Sequence, residues 1–289
     1  MAALKNHILV PIDFSEQSLI SLTQSYNLAR LTKATLTLMH VIEESFQLPF
    51  FSSKKQEDKG LEKKIQKELD KLAVDVMSKV GVKVETIIAR GKVYEEIQKA
   101  AKKLKCSFIV MGTKGSRIRN FIGSNALRVI REAPCPVITI HGKRHRPGCK
   151  HIVLPLDMSK ETKEKVTKAI EIARLFGSTI NLVTILTTDD EFIVNKLKRQ
   201  MDQVYEFVMQ HDVPCTVEYI SGSDVAEDII KYSKKIKADL ILIMTQQEMN
   251  WTNMFISSQA QEIINSSEIP VLSVRPIVRK NTTLSVFEY

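Results

Sequence analysis

No apolar run in these 289 residues approaches the ~20 that a membrane-spanning helix requires. The start, Met1 to His7, lacks the charged, apolar and small-residue regions of a secretory signal. A cytoplasmic protein with no membrane partner is therefore expected. Cysteine is scarce: Cys106, Cys135, Cys149 and Cys215 show no paired spacing, which argues against a disulfide framework and for free thiols. The formal net charge is +9, yet aromatic residues do not interleave with the basic ones. Lysines alternate with glutamates on stretches such as Leu61–Leu69, the pattern of a solvated helix face and not of a nucleic-acid stripe. A weaker basic cluster, Lys143–Arg146, falls where a linker belongs.

Catalytic signatures are missing too. There is no Gly-x4-Gly-Lys-Ser/Thr loop and no Gly-x-Gly-x-x-Gly. No Ser/His/Asp order or paired carboxylates stand out. His141, His145 and Cys149 recur at four-residue intervals, and their side chains are zinc-ligand types. Gly142, Pro147 and Gly148 argue against the helix that would align them, and no fourth ligand is evident, so no metal is expected.

What is present is a repeat. His7-Ile8-Leu9-Val10-Pro11-Ile12-Asp13-Phe14-Ser15 returns as His151-Ile152-Val153-Leu154-Pro155-Leu156-Asp157-Met158-Ser159. In the same register Thr23, Ala29, Arg30, Leu31, Thr35 and Leu38 recur as Thr167, Ala173, Arg174, Leu175, Thr179 and Leu182. The first copy reads as strand 7–12, a helix capped by Ser15 with Leu19, Leu22, Tyr26 and Ala29 on its apolar face, strand 35–42, and a helix over 59–79. Strand 82–89, helix 93–104, strand 107–111, a short helix over 125–131 and strand 137–140 complete it. Strands alternating with helices predict a mostly parallel sheet covered on both faces, hence an α/β fold with two tandem domains. The reading places domain one at 1–142, domain two at 149–276 and an extension at 277–289, with the linker near Gly142–Gly148.

The two copies differ in their glycines. The first carries Gly112-x2-Gly115-x7-Gly123-Ser124 between a strand and a helix. Glycines let backbone amides approach an anion, and a helix start adds partial positive charge. Asp13, at the carboxyl end of the first strand, lies at the edge where open α/β sheets bind ligands. Two tight turns and an N-cap explain the glycines equally well. The second copy has Met244, Gln247 and Ser257 in their places.

Val10-Pro11-Ile12-Asp13, Val110-Met111-Gly112-Thr113-Lys114-Gly115, Gly123-Ser124 and Ala133-Pro134-Cys135-Pro136-Val137 together resemble the universal stress protein family, as a tandem two-domain member covering nearly the whole chain. The resemblance implies two Rossmann-like, adenine-nucleotide-hydrolase-like domains, each a five-stranded sheet. It implies a cytoplasmic stress-related regulator binding ATP, ADP or AMP, with Mg2+ where the nucleotide brings it. By resemblance the site comprises Pro11, Ile12, Asp13, Val41, Met111, Gly112, Gly115, Gly123, Ser124 and Asn125. Asp13 would contact the adenosine and Val41 frame the adenine, while Gly112, Gly115, Gly123 and Ser124 cradle ribose and phosphates. Lys114 and Arg117 could neutralise phosphate charge. The family's binding members have nine residues before the last glycine, and this loop has seven.

The second copy is then expected to be silent for ATP, a structural partner with room for a different small ligand. Trp251, Met254 and Phe255 are expected to fill the space a nucleotide would take. The last strands should pair within the chain, and a homodimer is compatible with this. An unknown protein partner could dock on the loop at Phe46, Pro49, Phe50 and Phe51 or near Trp251. The alternative to nucleotide binding is a ligand-free interaction module. Asp13 is the one evident catalytic candidate, so any ATP hydrolysis should be slow.

Overall fold

The computed structural model describes residues 6–43, 55–113, 123–143, 146, 148–157, 162–247 and 254–276, without the side chains of 55–59, 162, 246–247 and 254–255. In chain order the first half contains β1 (His7–Pro11), α1 (Glu16–Thr32), β2 (Thr35–Ile42), α2 (Lys55–Val80), β3 (Val84–Arg90), α3 (Val93–Leu104), β4 (Cys106–Gly112), α4 (Ser124–Glu132) and β5 (Val137–Ile140). The second half contains β6 (His151–Pro155), α5 (Thr162–Phe176), β7 (Thr179–Leu186), α6 (Glu191–Met209), β8 (Cys215–Ser221), α7 (Val225–Lys235) and β9 (Leu240–Met244). It ends with β10 (Gln246–Gln247), β11 (Met254–Phe255), α8 (Ser258–Ser266) and β12 (Val271–Val274). The β10–β11 ribbon, antiparallel through Gln246–Phe255 and Gln247–Met254, has no counterpart among the described residues of the first half.

Local sequence explains the helix ends. Ser15 caps α1 by accepting the Ser18 amide at 3.2 Å, and Lys33 closes it in a left-handed conformation at φ 51°. Of the four apolar residues expected inward on α1, Leu22 and Ala29 are buried and Tyr26 packs against the core, but Leu19 is 37% exposed. The helix instead buries Ser18, Ser21 and Ser25. Each hydroxyl donates to a carbonyl three or four residues back, at 3.0, 2.8 and 2.6 Å, so burying it costs little. A hydrophobicity pattern scores such serines as outward and therefore rotates the face.

Ten strands form one sheet in the order β3-β2-β1-β4-β5-β12-β9-β6-β7-β8. Every neighbouring pair is parallel except β5 with β12, which is antiparallel through Val137–Ser273, Ile138–Leu272 and Thr139–Val271. The last strands thus meet edge to edge within the chain, each covering an edge the other would expose. Helices α1, α2, α5 and α6 pack on one face in a cluster that runs through both halves, and α3, α4, α7 and α8 cover the other. Because the seam is antiparallel, the carboxyl ends of the two halves' strands point to opposite edges of the sheet.

Arginines tie the layers together. Arg30 donates to the carbonyls of Lys79 and Val80 at the end of α2, and Arg174 donates to the His211 carbonyl just past α6. Their repetition in register is explained by capping the end of the next helix. Across the seam, Arg275 donates to the carbonyls of Glu132 and Ala133 at 3.0 and 2.8 Å, capping α4 from the other half. The β11 strand also lies against α4. Among the described residues no helix is long and apolar enough to cross a membrane.

Candidate functional site

In each half the chain runs outward from the first strand through the second and third, then crosses to the fourth and fifth on the other side. The crevice at the carboxyl ends of the first and fourth strands is where such sheets bind ligands. In the first half Pro11, Ile12 and Asp13 lie at or just past the end of β1, Met111 and Gly112 at the end of β4, and Val41 near the end of β2. Ile12 and Met111 are buried, and the Ile12 amide donates to the Met39 carbonyl at 2.8 Å, which fixes the turn that presents Asp13. Asp13 is exposed, with Oδ1 accepting the Ser15 amide at 2.9 Å and the Ser15 hydroxyl at 2.5 Å. Partial burial pushes its carboxyl up. Bonds from Ser15 and Ser18 more than offset this and hold it below 3.8.

The glycine loop leaves the sheet at Thr113 and returns at Gly123, whose amide donates to the Thr113 carbonyl at 2.9 Å. The two ends of the loop are thus pinned together at the sheet edge. Gly115, Lys114 and Arg117 lie outside the described residues, as do Trp251 and the Phe46–Phe51 loop. Gly123 is the N-cap of α4 at an ordinary φ of −61° and, lacking a side chain, cannot cap the helix itself. Ser124 and Asn125 are therefore the first two helical residues. Ser124 is thus not the N-cap of α4. In the second half Ser257 caps α8, its hydroxyl accepting the Ala260 amide at 3.2 Å. What Gly123 contributes is not an unusual backbone but an N-cap without a side-chain acceptor, at the residue where the loop rejoins the sheet edge.

Gly112 has a different physical account. A Cβ there would stand 2.8 Å from Gln17 Cγ and 3.2 Å from the Gln17 carbonyl. Gln17 is buried and donates to the Ile140 carbonyl at 2.8 Å. The glycine therefore admits α1 against β4, through a glutamine that sequence reasoning passed over. The signal was weak, since a glutamine near a helix start reads as surface.

Three neighbours complete the edge. His40 Nδ1 is 2.7 Å from the Ile12 carbonyl, and its ring packs against Phe14 at 5.5 Å. His141 Nδ1 is 3.0 Å from the Thr113 hydroxyl and Cys149 is buried beneath the linker. Among the described residues no group of three or more His, Cys, Asp or Glu is placed to hold a metal.

In the second half a cleft of about 290 Å³ opens at the ends of β6, β7 and β9. Asp157 stands at its mouth and Met244 in its wall. Lys165 reaches in from α5, donates to the Pro155 carbonyl at 3.0 Å and lies 3.9 Å from the Asp157 carboxylate.

The architecture is thus a duplicated, doubly wound α/β fold with a potential ligand edge in each half. Residues 5–141 and 148–275 each match the model of the universal stress protein family, and the chain belongs to that family. It is 32% identical over 139 residues to a universal stress protein of Methanocaldococcus jannaschii, spanning 46% of this chain and 80% of the relative. A universal stress protein of Thermus aquaticus is 28% identical over 139 residues, 46% of this chain and 96% of its own. Among solved structures, a universal stress protein from Archaeoglobus fulgidus DSM 4304 aligns over 94% of this chain and 99% of its own, with TM-score 0.77 and 20% identity. A putative universal stress protein from Pseudomonas aeruginosa aligns over 95% of each chain, with TM-score 0.68 and 17% identity. These two speak to the fold.

Proposed function

We propose that the first domain binds ATP, or ADP or AMP in its place, and that the protein is a cytoplasmic, stress-related regulator with little or no turnover. The reading rests above all on the start of α4, whose N-cap Gly123 offers no side-chain acceptor, set at the same sheet edge as Asp13. Helix amides there would meet phosphate oxygens, and the Asp13 carboxylate would accept from ribose hydroxyls or the adenine amino group. Pro11, Ile12 and Met111 form the floor, Val41 the adenine side, and Gly115, Ser124 and Asn125 the phosphate side. Gly112 serves by letting α1 approach. Magnesium, where present, arrives with the nucleotide. No positioned base beyond Asp13 is evident among the described residues, so hydrolysis, if measured, should be slow and lost in Asp13→Ala.

The second domain acts as a structural partner: its Arg275 and β11 brace α4, the helix whose start forms the site. Two such chains could pair as a homodimer.

The test begins with protein purified without added nucleotide, denatured, and its supernatant examined by absorbance and mass for adenine. Calorimetric titration of ATP into wild type and Gly115→Val follows. Binding by wild type and none by the variant is expected. No heat and no thermal shift at millimolar ATP would favour the ligand-free interaction module instead.

A further inference from the structure

We propose that the cleft of the second domain is a binding site for an uncharged, compact and mainly apolar small molecule, and not for a nucleotide. At about 290 Å³ it sits at the lower end of the ~300–1,000 Å³ usual for small-molecule pockets. Val183, Ile185, Ile193, Leu197, Ile229 and Ile263 supply aliphatic walls from β7, α6, α7 and α8.

Its polar groups are largely spent on the protein itself. The Thr184 hydroxyl donates to the Leu156 carbonyl at 2.6 Å and the Thr245 hydroxyl to the Val274 carbonyl at 3.3 Å. Both are buried threonines whose bonding demand is met by backbone. Ser257 is occupied by the Ala260 amide, so the start of α8 is capped by its own N-cap side chain, which Gly123 cannot do for α4. That helix start is therefore poorly placed to receive an anion.

Charge points the same way. Among the described lining residues Lys165 and Asp157 are the one cation and the one carboxylate, and they lie 3.9 Å apart. The Lys165 side chain is only 10% exposed, and a lysine so enclosed needs a partner. In the first half the corresponding position is Ser21, buried and bonded to the Gln17 carbonyl, so the ammonium is peculiar to the second cleft. With the pair intact the described lining carries no net charge. An anionic ligand would have to displace Asp157 from Lys165, and a cationic one would meet the ammonium. An uncharged ligand faces neither cost and gains from covering the aliphatic walls. The inference stands apart from the nucleotide reading, because the two clefts lie at opposite edges of the sheet.

Two dyes of one skeleton make the test: uncharged N-phenyl-1-naphthylamine and its sulfonate, 8-anilino-1-naphthalenesulfonate. Each is titrated by fluorescence into the full chain, with and without ATP. The neutral dye should saturate at one site per chain, and the sulfonate should bind at least about tenfold more weakly. Thr187→Trp, an exposed rim position, should weaken the neutral dye by about tenfold or more through blocking the mouth; Gln259→Trp on another part of the rim is the second such variant. Lys165→Met should leave the neutral dye near wild type and weaken the sulfonate further. The inference is overturned if the neutral dye does not bind, if it binds both tryptophan variants as it binds wild type, or if ATP displaces it. It is equally overturned if the sulfonate binds tighter than the neutral dye and loses that advantage in Lys165→Met, which would make the lysine an anion anchor. Failure of ATP to bind the first domain leaves every one of these readouts intact.

Discussion

Gly142→Ala should loosen the joint between the two halves. A Cβ on Gly142 would lie 2.3 Å from the Glu268 carbonyl oxygen and 3.1 Å from that residue's carbonyl carbon and Cα. All three atoms are backbone, so no side chain can swing aside, and the two segments must part by roughly 1 Å to reach ordinary contact. Neither segment yields easily. Residue 142 follows β5, whose pairing with β12 forms the seam. Glu268 sits in a turn pinned by the Ser267 hydroxyl, which donates to the Ile269 carbonyl at 2.9 Å and accepts the Ile269 amide at 3.0 Å. Overpacking of this kind costs about 1–3 kcal/mol. For a cooperative unit of this size that corresponds to a melting temperature lower by roughly 3–10 °C.

Gly148→Ala is the matched control. Nothing lies within 4 Å of its would-be Cβ, and like Gly142 it does not adopt the left-handed backbone that disfavours alanine. It should be neutral or gain about 0.4–1 kcal/mol by restricting the unfolded chain. Thermal and urea unfolding of the three proteins, followed by circular dichroism, decides the matter. A Gly142→Ala variant as stable as Gly148→Ala would refute the tight seam.

Gly123→Ser should give α4 the cap that α8 already has, raising stability by a few tenths of a kcal/mol while lowering ATP affinity by about tenfold or more, read by calorimetry. Because the Asp13 carboxyl is held below its ordinary value, its stabilising effect is present above about pH 4 and fades as pH falls through the lowered pKa. The melting-temperature gap between wild type and Asp13→Asn should therefore be constant from neutral pH to about 5 and close in more acid buffer; a gap that widens on acidification would contradict the Ser15 and Ser18 bonds. Burial pushes all four thiols up to about 12, so native protein at pH 7 should react slowly with a thiol reagent and all four should become reactive on unfolding. One fast thiol in the native state would show that a cysteine is less enclosed than its surroundings indicate.

Much of this protein is written in local sequence. The repeated Val/Leu-Pro-Ile/Leu-Asp motif, the Ser15 cap and the alternation of strands and helices announced a duplicated α/β fold, because strand and helix periods and cap chemistry are properties of near neighbours. The strands at 35–42 and 137–140 and the helix at 93–104 have those bounds in the structure. The loop from Gly112 to Gly123 was legible as something unusual, since glycines clustered between a strand and a helix demand a reason.

The reasons themselves lay elsewhere in the chain. Gly112 is small because Gln17 needs the room, and Arg30, Arg174 and Arg275 cap helix ends 37 to 143 residues away. Lys165 reads as one more solvated lysine until α5 packs and brings it against Asp157 and Pro155. Sequence alone determined which segments become strands and helices and that the plan is used twice. Only tertiary packing decided which glycine makes room for a neighbouring helix, which arginine caps which helix end and which charge is enclosed. Those properties depend on distances between groups far apart in the chain, and no periodicity of neighbouring residues encodes them.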